Sequence, residues 1–441
     1  MDGPGRAKAI PVDSLGPATT RAEAPRPGER WLQADPSNPA ADPRAGSAAA
    51  PVRLTGSPIS LVAFPAETLT NRNFASFDLT RWDRFYLPTT LAPLADGPDL
   101  GRVEGIEDDN RGAILPAPVA QLDGLGFYLS IKGIGSSVDP FSLRRLDPQY
   151  ATELTDEAEV RERLRSVSGD RAGGMITGEL WLRGSPYGGQ GLPHALTALR
   201  VSERADLTSI EGFRIAPVVK VAYLPPSLES RLRSIHWYRK YRDRIVQELR
   251  LVPSNVRIYF HSRSTVGNDP RFVFDLFGVD TPARAHRFVV NFVRSGIPLL
   301  TLFARTLTDD PVRHRCAGLD FQDVWLDKDA VLAPDGTVFF VDLEGVDSVA
   351  VDREAVREKV EDQIFRSLYE FMFAYEQIDS ERTRRYGANG SRKRRFEAIV
   401  EEALREDPFV RVRHSPTGLS LQIRNGLGDE SLWLEFPLVD L

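Results

Sequence analysis

The sequence predicts an α+β chain with two lobes, in which strands dominate the first part and helices the second. From about residue 57 to residue 260, short apolar runs alternate with turn residues, a pattern typical of strands. From about residue 281, apolar residues recur instead with helical spacing. With 441 residues, of which 41% are hydrophobic, the chain is long enough for one large bilobal domain or two ordinary domains.

Residues 1–55 differ in composition from the rest of the chain. They are rich in alanine, proline, glycine, aspartate and arginine, and Trp31 is their only aromatic residue. Such a segment cannot bury enough apolar surface to offset the entropy lost on ordering, so we predict that it is a disordered tail. It is either a passive extension or a tether that binds a partner.

Residues 56–260 are predicted to form the sheet-rich N-lobe. Its predicted strands are apolar runs bounded by turn residues, and they span 57–64, 111–115, 126–132, 178–184, 215–224 and 255–260. Its predicted helices follow helical periodicity and span 155–166, 192–205 and 234–249. In the helix over 192–205, Leu196, Leu199 and Glu203 share one face, and a carboxylate on an apolar face needs a partner.

Residues 261–441 are predicted to form the helical C-lobe, which carries an acidic metal site. A helix over 281–307 is expected to break near Pro298, because proline lacks an amide hydrogen. An amphipathic helix over 352–378 has five apolar residues on its inner face, namely Ile364, Leu368, Phe371, Met372 and Tyr375. A helix near 393–405 and strands over 409–414 and 419–424 complete the lobe.

Composition argues against several classes of protein. The net charge of -6 is mild for this length and does not indicate a nucleic-acid surface. Cys316 is the only cysteine, so no intramolecular disulfide can form, which fits a reducing cytoplasm. The six histidines are scattered, which disfavours a structural zinc site. No run of eighteen apolar residues predicts a membrane span, and no apolar run near the N-terminus predicts a secretory signal.

Acidic residues follow the apolar strand at the end of PDGTVFFVDLEGVD, residues 334–347. Asp342 ends this strand, and Asp329 precedes it by 13 residues (342 − 329) across a turn at Pro334-Asp335-Gly336. A hairpin would bring the two acids together, and such hard oxygen ligands suit Mg²⁺ or Mn²⁺. Asp323 lies just upstream and is a candidate general base. The alternative is that Asp329 is an ordinary turn acid in a solvated loop.

Lys132 is the candidate phosphate-binding residue of the N-lobe. It ends the strand GFYLSIK, directly before Gly133 and Gly135, whose missing side chains would let the backbone approach a phosphate. Glu203 is its candidate carboxylate partner, although it can instead pair with a neighbouring arginine of its own helix. Arg111 and Arg183 are further candidates for binding phosphate.

The order of these features resembles the protein-kinase-like fold. In that fold a strand lysine pairs with a helix glutamate, and an aspartate after a later strand binds the metal. The resemblance places Lys132, Glu203 and Asp342 in those roles. Four stretches of the N-lobe are most similar to the selenoprotein O family of kinase-like protein adenylyltransferases, namely DNRGAIL, LSIKGIG, GSPYGGQG and RVSERA.

The resemblance covers about residues 111–224 and 318–345, and the chain departs from the family in two places. Residues 136–183 would be an insertion between motifs that are usually adjacent. In GLDFQDVWL, Asp323 matches the family's base, but Val324 stands where the family has a metal-binding asparagine. Asp329 is the candidate to replace that asparagine.

The resemblance implies a transferase that uses ATP and Mg²⁺ to move AMP or a phosphoryl group onto a hydroxyl of a protein or small molecule, with AMP transfer favoured. Val324 supports a different class, a pseudokinase that binds nucleotide or serves as a scaffold without catalysis. An ATP-grasp ligase also uses lysines and paired acids, but a single acidic hairpin followed by a long helix fits it less well. The acceptor leaves no signature in the sequence.

Overall fold

The computed structural model describes most of the predicted lobes and three residues of the predicted tail. The described residues are 32–33, 54, 56, 58–75, 77–89, 99–108, 112–122, 124–134, 190–204, 209–210, 213–226, 228–229, 244–257, 270–305, 329–341, 343, 360–379, 388–415, 418–424 and 431–437. The predicted helix over 155–166, the predicted strand over 178–184 and the proposed insertion over 136–183 all lie outside them.

Seventeen strands are found among the described residues. They are β1 Leu32–Gln33, β2 Pro58–Pro65, β3 Thr68–Thr70, β4 Arg84–Pro88, β5 Arg102–Asp108, β6 Gly112–Leu122, β7 Leu125–Lys132, β8 Gln190–Gly191, β9 Ser209–Ile210, β10 Phe213–Ile215, β11 Val218–Tyr223, β12 Ile245–Val252, β13 Ala330–Leu332, β14 Val338–Phe340, β15 Val410–Ser415, β16 Gly418–Arg424 and β17 Ser431–Pro437.

Five α-helices are found in the same part of the chain. They are α1 Leu192–Arg204, α2 Pro270–Leu276, α3 Pro282–Arg305, α4 Arg366–Ile378 and α5 Ala388–Leu404. Short 3-10 helices span Arg72–Phe74 and Thr80–Trp82, and a π-helix over Val360–Phe365 leads into α4. Of the helices described, none is both long and apolar enough to cross a lipid bilayer.

The largest sheet is antiparallel, and its described part has ten strands in the order β3-β11-β12-β7-β6-β5-β2-β4, with β1 on β6 and β8 on β12. Strand β12 lies next to β7 along its length, with Glu248 opposite Lys132 and Val252 opposite Tyr128. All eight residues of β12 are buried, as expected for a central strand covered on both faces.

The described residues also form two smaller sheets. One has the order β13-β14-β10-β9, in which β10 runs parallel to β14. The other joins β15, β16 and β17 in an antiparallel meander. Strand β10 follows α1 in the chain, so a strand from the predicted N-lobe pairs with the hairpin of the predicted C-lobe.

The buried apolar residues form two cores that meet at the β13–β14 hairpin. One core combines all five helices with β15, β16 and part of β11. The other lies on the large sheet and includes residues of β2, β4, β6, β7 and β12. The hairpin contributes alternate residues to each, with Phe340 in the helical core and Phe339 in the sheet core. Phe339 also makes an edge-on ring contact with Phe127 of β7, at 5.6 Å between ring centroids.

The predicted mixture of strands and helices is confirmed, with a large antiparallel sheet and few helices. The strands predicted over 57–64, 126–132 and 215–224 are present, with each end within three residues of the prediction, as is the helix predicted over 192–205. The five residues predicted for the inner face of the helix ending at residue 378 are all buried.

Two local predictions were wrong. Residues 245–249, predicted as the end of a helix, belong to strand β12, because alternating apolar residues satisfy both faces of a buried sheet. Residues 255–257, predicted as the start of a strand, form an irregular connector. In the predicted disordered tail, Leu32 and Gln33 pair with β6, and the rest of residues 1–53 lies outside the described residues, so its disorder stays a prediction.

The break predicted near Pro298 is also wrong, because α3 continues through that residue. Tertiary packing compensates for the hydrogen bond that proline cannot donate. Gly296 contributes to this packing, since a Cβ at its position would lie 2.3 Å from Cδ1 of Ile364. The close approach holds α3 against the π-helix that precedes α4.

Candidate functional site

Lys132 ends β7 between two neighbours of very different size. Gly112 of β6 and Glu248 of β12 lie directly opposite it on the two adjoining strands. Directly opposed residues project to the same side of a sheet. Across the three adjacent strands, this side therefore presents the bare backbone of Gly112, the ammonium of Lys132 and the carboxylate of Glu248. Lys132 is half-buried, as expected for a cation at the rim of a sheet.

Gly133 and Gly112 keep the backbone around Lys132 close to its surroundings. Gly133 is buried and has a φ of 100°, a conformation that residues with a Cβ rarely adopt. Its carbonyl accepts a hydrogen bond of 3.2 Å from Nε2 of the buried Gln247. A Cβ at Gly112 would lie 3.1 Å from the carbonyl oxygen of Ile131, so this glycine also allows tight strand packing.

Glu248 and Arg250 form an ion pair inside the sheet. Both side chains point to the Lys132 side of β12, since they are two residues apart, and they are 0% and 4% exposed. Nε of Arg250 donates to Oε2 of Glu248 over 2.7 Å, and Nη2 donates to the same oxygen. The third donor, Nη1, binds the carbonyl oxygen of Val341. The guanidinium therefore connects the strand beside Lys132 to the residue that directly precedes Asp342.

The acidic hairpin has the register that its turn residues predict. Ala330 lies opposite Phe340, and Leu332 lies opposite Val338. The amide of Val341 donates to the carbonyl oxygen of Asp329 over 2.8 Å, which extends the hairpin by one more pair. Asp329 is 6% exposed and therefore buried. The residue before Asp342 is thus bonded directly to Asp329.

The hairpin is held from two further directions. The amide of Ala216, just after β10, donates to the carbonyl oxygen of Phe340 over 2.8 Å. The connector that follows β12 holds the other strand, because the amide of Leu332 donates to the carbonyl oxygen of Val256 over 2.8 Å. The hydroxyl of Ser254 donates to the carbonyl oxygen of Leu332. Both strands of the hairpin are therefore bonded to segments that adjoin the large sheet.

Glu203, the predicted partner of Lys132, binds a different cation in this structure. Its Oε1 lies 3.2 Å from Nε of Arg72, accepts the backbone amide of Arg72 at 3.2 Å, and its Oε2 accepts Nη2 at 3.3 Å. The buried residues of α1 are Ala195, Ala198, Leu199, Val201 and Ser202, and Glu203 lies beside them. Its role toward Lys132 stays a prediction.

Several predicted site residues lie outside the described part of the chain. They are Arg111, Gly135, Arg183, Asp323 and Asp342. Within the part that is described, no cluster of three or more His, Cys, Asp or Glu residues could hold a metal ion. Since the search covers Asp329 but neither Asp323 nor Asp342, the predicted metal site stays a prediction.

Glu248 and Arg250 were not among the predicted site residues. Glu248 falls at the end of the helix predicted over 234–249, where it would be an ordinary surface charge, and Arg250 directly follows that helix. The alternation of Ile245, Gln247, Leu249 and Leu251 with the residues between them is a signal that could have identified the strand. The contact with Val341 spans 91 residues and leaves no local pattern.

Comparisons of the chain with protein-family models, with curated proteins and with solved structures find no match.

Proposed function

We propose that the protein is an ATP- and Mg²⁺-dependent transferase with a kinase-like bilobal fold, which moves an AMP or phosphoryl group onto a hydroxyl. One observation carries the proposal: β12 lies beside the strand of Lys132 and, through Arg250, contacts the residue before Asp342. Phosphoryl and nucleotidyl transfer need a cation on the phosphates and acids for the metal within one site. Strand β12 is therefore bonded both to the strand of Lys132 and to Val341.

Lys132 would bind the phosphates of the nucleotide. An ammonium beside a glycine-lined backbone offers a charge and close approach, which suits a polyanion. Glu203 would orient this lysine, as the kinase resemblance implies, with Arg111, Gly133, Gly135 and Arg183 completing the phosphate contacts.

Asp329 and Asp342 would hold the metal ion. The fit rests on the hairpin, because Asp329 is buried and its carbonyl binds the residue that precedes Asp342. Carboxylate oxygens are the ligands that Mg²⁺ prefers, and the bound ion would offset negative charge on the phosphates. Asp323 would accept the proton of the attacking hydroxyl. The resemblance to selenoprotein O favours AMP as the transferred group.

ATP labelled on the α or the γ phosphorus tests the proposal directly. Label transferred only from the α position identifies adenylylation, and label transferred only from the γ position identifies phosphorylation. Asp342→Asn and Lys132→Met should each lower transfer at least about 100-fold, because each removes a charge that acts on the phosphates. No transfer from either label by the wild-type protein, with a panel of hydroxyl acceptors, would refute the proposal.

Asp335→Asn is the matched control for an acid in the same hairpin. Oδ1 of Asp335 accepts the amide of Thr337 over 3.0 Å within the turn, and asparagine can accept the same bond. Transfer by Asp335→Asn should therefore stay within about twofold of wild type. A loss equal to that of Asp342→Asn would show that replacing any aspartate of the hairpin lowers transfer, so that the effect is not specific to Asp342.

A pseudokinase is the second candidate, and Val324 in place of the family's metal-binding asparagine favours it. The two candidates differ in how metal changes nucleotide binding. A ligand that binds the folded state raises the melting temperature by mass action. A catalytic site should give a larger shift with ATP and Mg²⁺ together than with ATP and a chelator, whereas a site without metal ligands should give equal shifts.

A further inference from the structure

We propose that Glu248 and Arg250 form a positioning pair, which holds the backbone at Val341, the residue directly before Asp342, in a fixed relation to Lys132. This inference rests on the proposed function, since it assigns a role within that site. Neither residue belongs to the lysine, helix-glutamate and aspartate set that the kinase resemblance supplies. The pair acts on the reaction through Asp342 and does not itself contact the nucleotide.

The guanidinium of Arg250 is bonded on two sides. Arg250 uses Nε and Nη2 for Glu248 and Nη1 for the carbonyl oxygen of Val341. Because the guanidinium is planar and rigid, two donors fixed on the carboxylate also fix the direction of the third. Glu248 itself is fixed by its place in the centre of the large sheet, where it is fully buried.

The planarity of the peptide bond extends this restraint to the following residue. The carbonyl oxygen of Val341 shares a plane with the amide and Cα of Asp342. A hydrogen bond to that oxygen therefore restrains the point from which the Asp342 side chain begins. The amide of Val341 is held as well, by the carbonyl of Asp329 at 2.8 Å. Both peptide units of Val341 are thus restrained, one by the hairpin and one by the large sheet.

A buried ion pair is costly to form. Both charges lose their hydration, and an apolar pair of equal volume is often as stable or more stable. Stability alone therefore does not account for a buried glutamate and arginine in a central strand. An apolar pair cannot donate to the Val341 carbonyl, and this bond is what the charged pair adds.

The test replaces the pair rather than one member, because a lone buried charge is strongly destabilising. The variant Glu248→Leu/Arg250→Met keeps a similar volume and removes both charges of the pair together. We expect it to fold, to bind ATP in the presence of a chelator within about threefold of wild type, and to need about 10- to 100-fold more Mg²⁺ for half-maximal transfer, the range typical of residues that orient metal ligands. A merely structural pair would not separate metal dependence from nucleotide binding in this way.

The matched control is a second ion pair, Arg395 with Asp379, which joins the end of α4 to α5 at 3.5 Å. Arg395→Met/Asp379→Asn should lower stability without changing the Mg²⁺ requirement. If the two double variants change the Mg²⁺ requirement equally, or if neither changes it, the positioning role is refuted.

Hydrogen exchange of the wild type and the Glu248→Leu/Arg250→Met variant separates this inference from the proposed function. Exchange at residues 338–343 should become at least about tenfold faster in the variant, while exchange in α4 stays unchanged. Unchanged exchange at 338–343 overturns the positioning pair whatever the activity. A wild type that neither binds ATP nor transfers from it overturns the proposed function, and the exchange rates still decide whether the pair holds the segment.

Discussion

Replacing Gly336 with alanine should loosen the acidic hairpin from α3. Gly336 occupies the turn with a φ of 89°, and a Cβ there would lie 2.1 Å from the carbonyl oxygen of Phe288. That distance is 0.9 Å short of 3.0 Å, below which real Cβ contacts essentially do not occur, and the opposing atom belongs to a helix backbone that cannot rotate away. Left-handed backbone costs about 1–2 kcal/mol, and forced overpacking costs about 1–3 kcal/mol more. The expected total is about 2–5 kcal/mol.

Gly124→Ala is the matched control for this substitution. Gly124 also lies in a hairpin turn, with a φ of 80°, but a Cβ there would have no atom within 4 Å. The free energy of unfolding of Gly124→Ala should therefore fall only by the cost of the left-handed backbone, about 1–2 kcal/mol. Urea unfolding followed by tryptophan fluorescence measures both variants against wild type. Equal midpoints for the two variants would refute the packing argument, because the contact with Phe288 would then contribute nothing.

Two further predictions concern pH dependence and the helical core. Burial raises the pKa of Tyr86 to about 12, against about 10 in the unfolded chain, so only the unfolded chain releases this proton between those values. The stability that this pKa shift contributes is complete below about pH 10 and is lost as the pH rises through about 12, at about 1.4 kcal/mol per pH unit. Phenylalanine does not titrate, so the free energy of unfolding of Tyr86→Phe, measured by urea titration, should fall less steeply between these pH values. Phe371→Ala should cost about 3–5 kcal/mol, because this fully buried ring contacts three phenylalanines of α2 and α3. Phe272→Ala, at a position 38% exposed, should cost less than about 1 kcal/mol in the same assay, and equal costs would contradict the assigned burial.

Local sequence patterns were sufficient to predict the elements whose signal lies within their own residues. The strand that ends at Lys132 is a continuous run of buried residues, and the helix from Leu192 has its small apolar residues on one side. The hairpin at Pro334-Asp335-Gly336 follows from turn chemistry, and its register agrees with the prediction. These signals lie within a few residues of the structure that they specify.

Contacts between distant segments were not accessible in the same way. Arg250 and Val341 are 91 residues apart, and Arg72 and Glu203 are 131 residues apart. A charged residue in a short stretch resembles a solvated one, whether or not a distant partner will bury it. This is why the stretch containing Glu248 was taken for a helix and why the observed partner of Glu203 was not expected.

Packing also changed the outcome at Pro298, where local chemistry alone favours a break. A proline removes one hydrogen bond, but the neighbouring Gly296 lets the helix approach Ile364 closely, and Ser295 donates to Asn291 one turn earlier. The serine hydroxyl also accepts the amide of Val338, which ties α3 to β14. The sequence shows the proline but not the surfaces that compensate for it.

The parallel pairing of β10 with β14 has a consequence for how the chain is made. The last residue of β10, Ile215, is synthesised 123 residues before Val338 (338 − 215), the first residue of β14, with which β10 pairs. At a synthesis rate of about 5–20 residues per second, β14 is therefore made about 6–25 seconds after β10. During that interval the edge of β10 is open to chaperones or to other nascent chains. A gene cut between the two strands should therefore yield halves that regain the native form only when they are produced together.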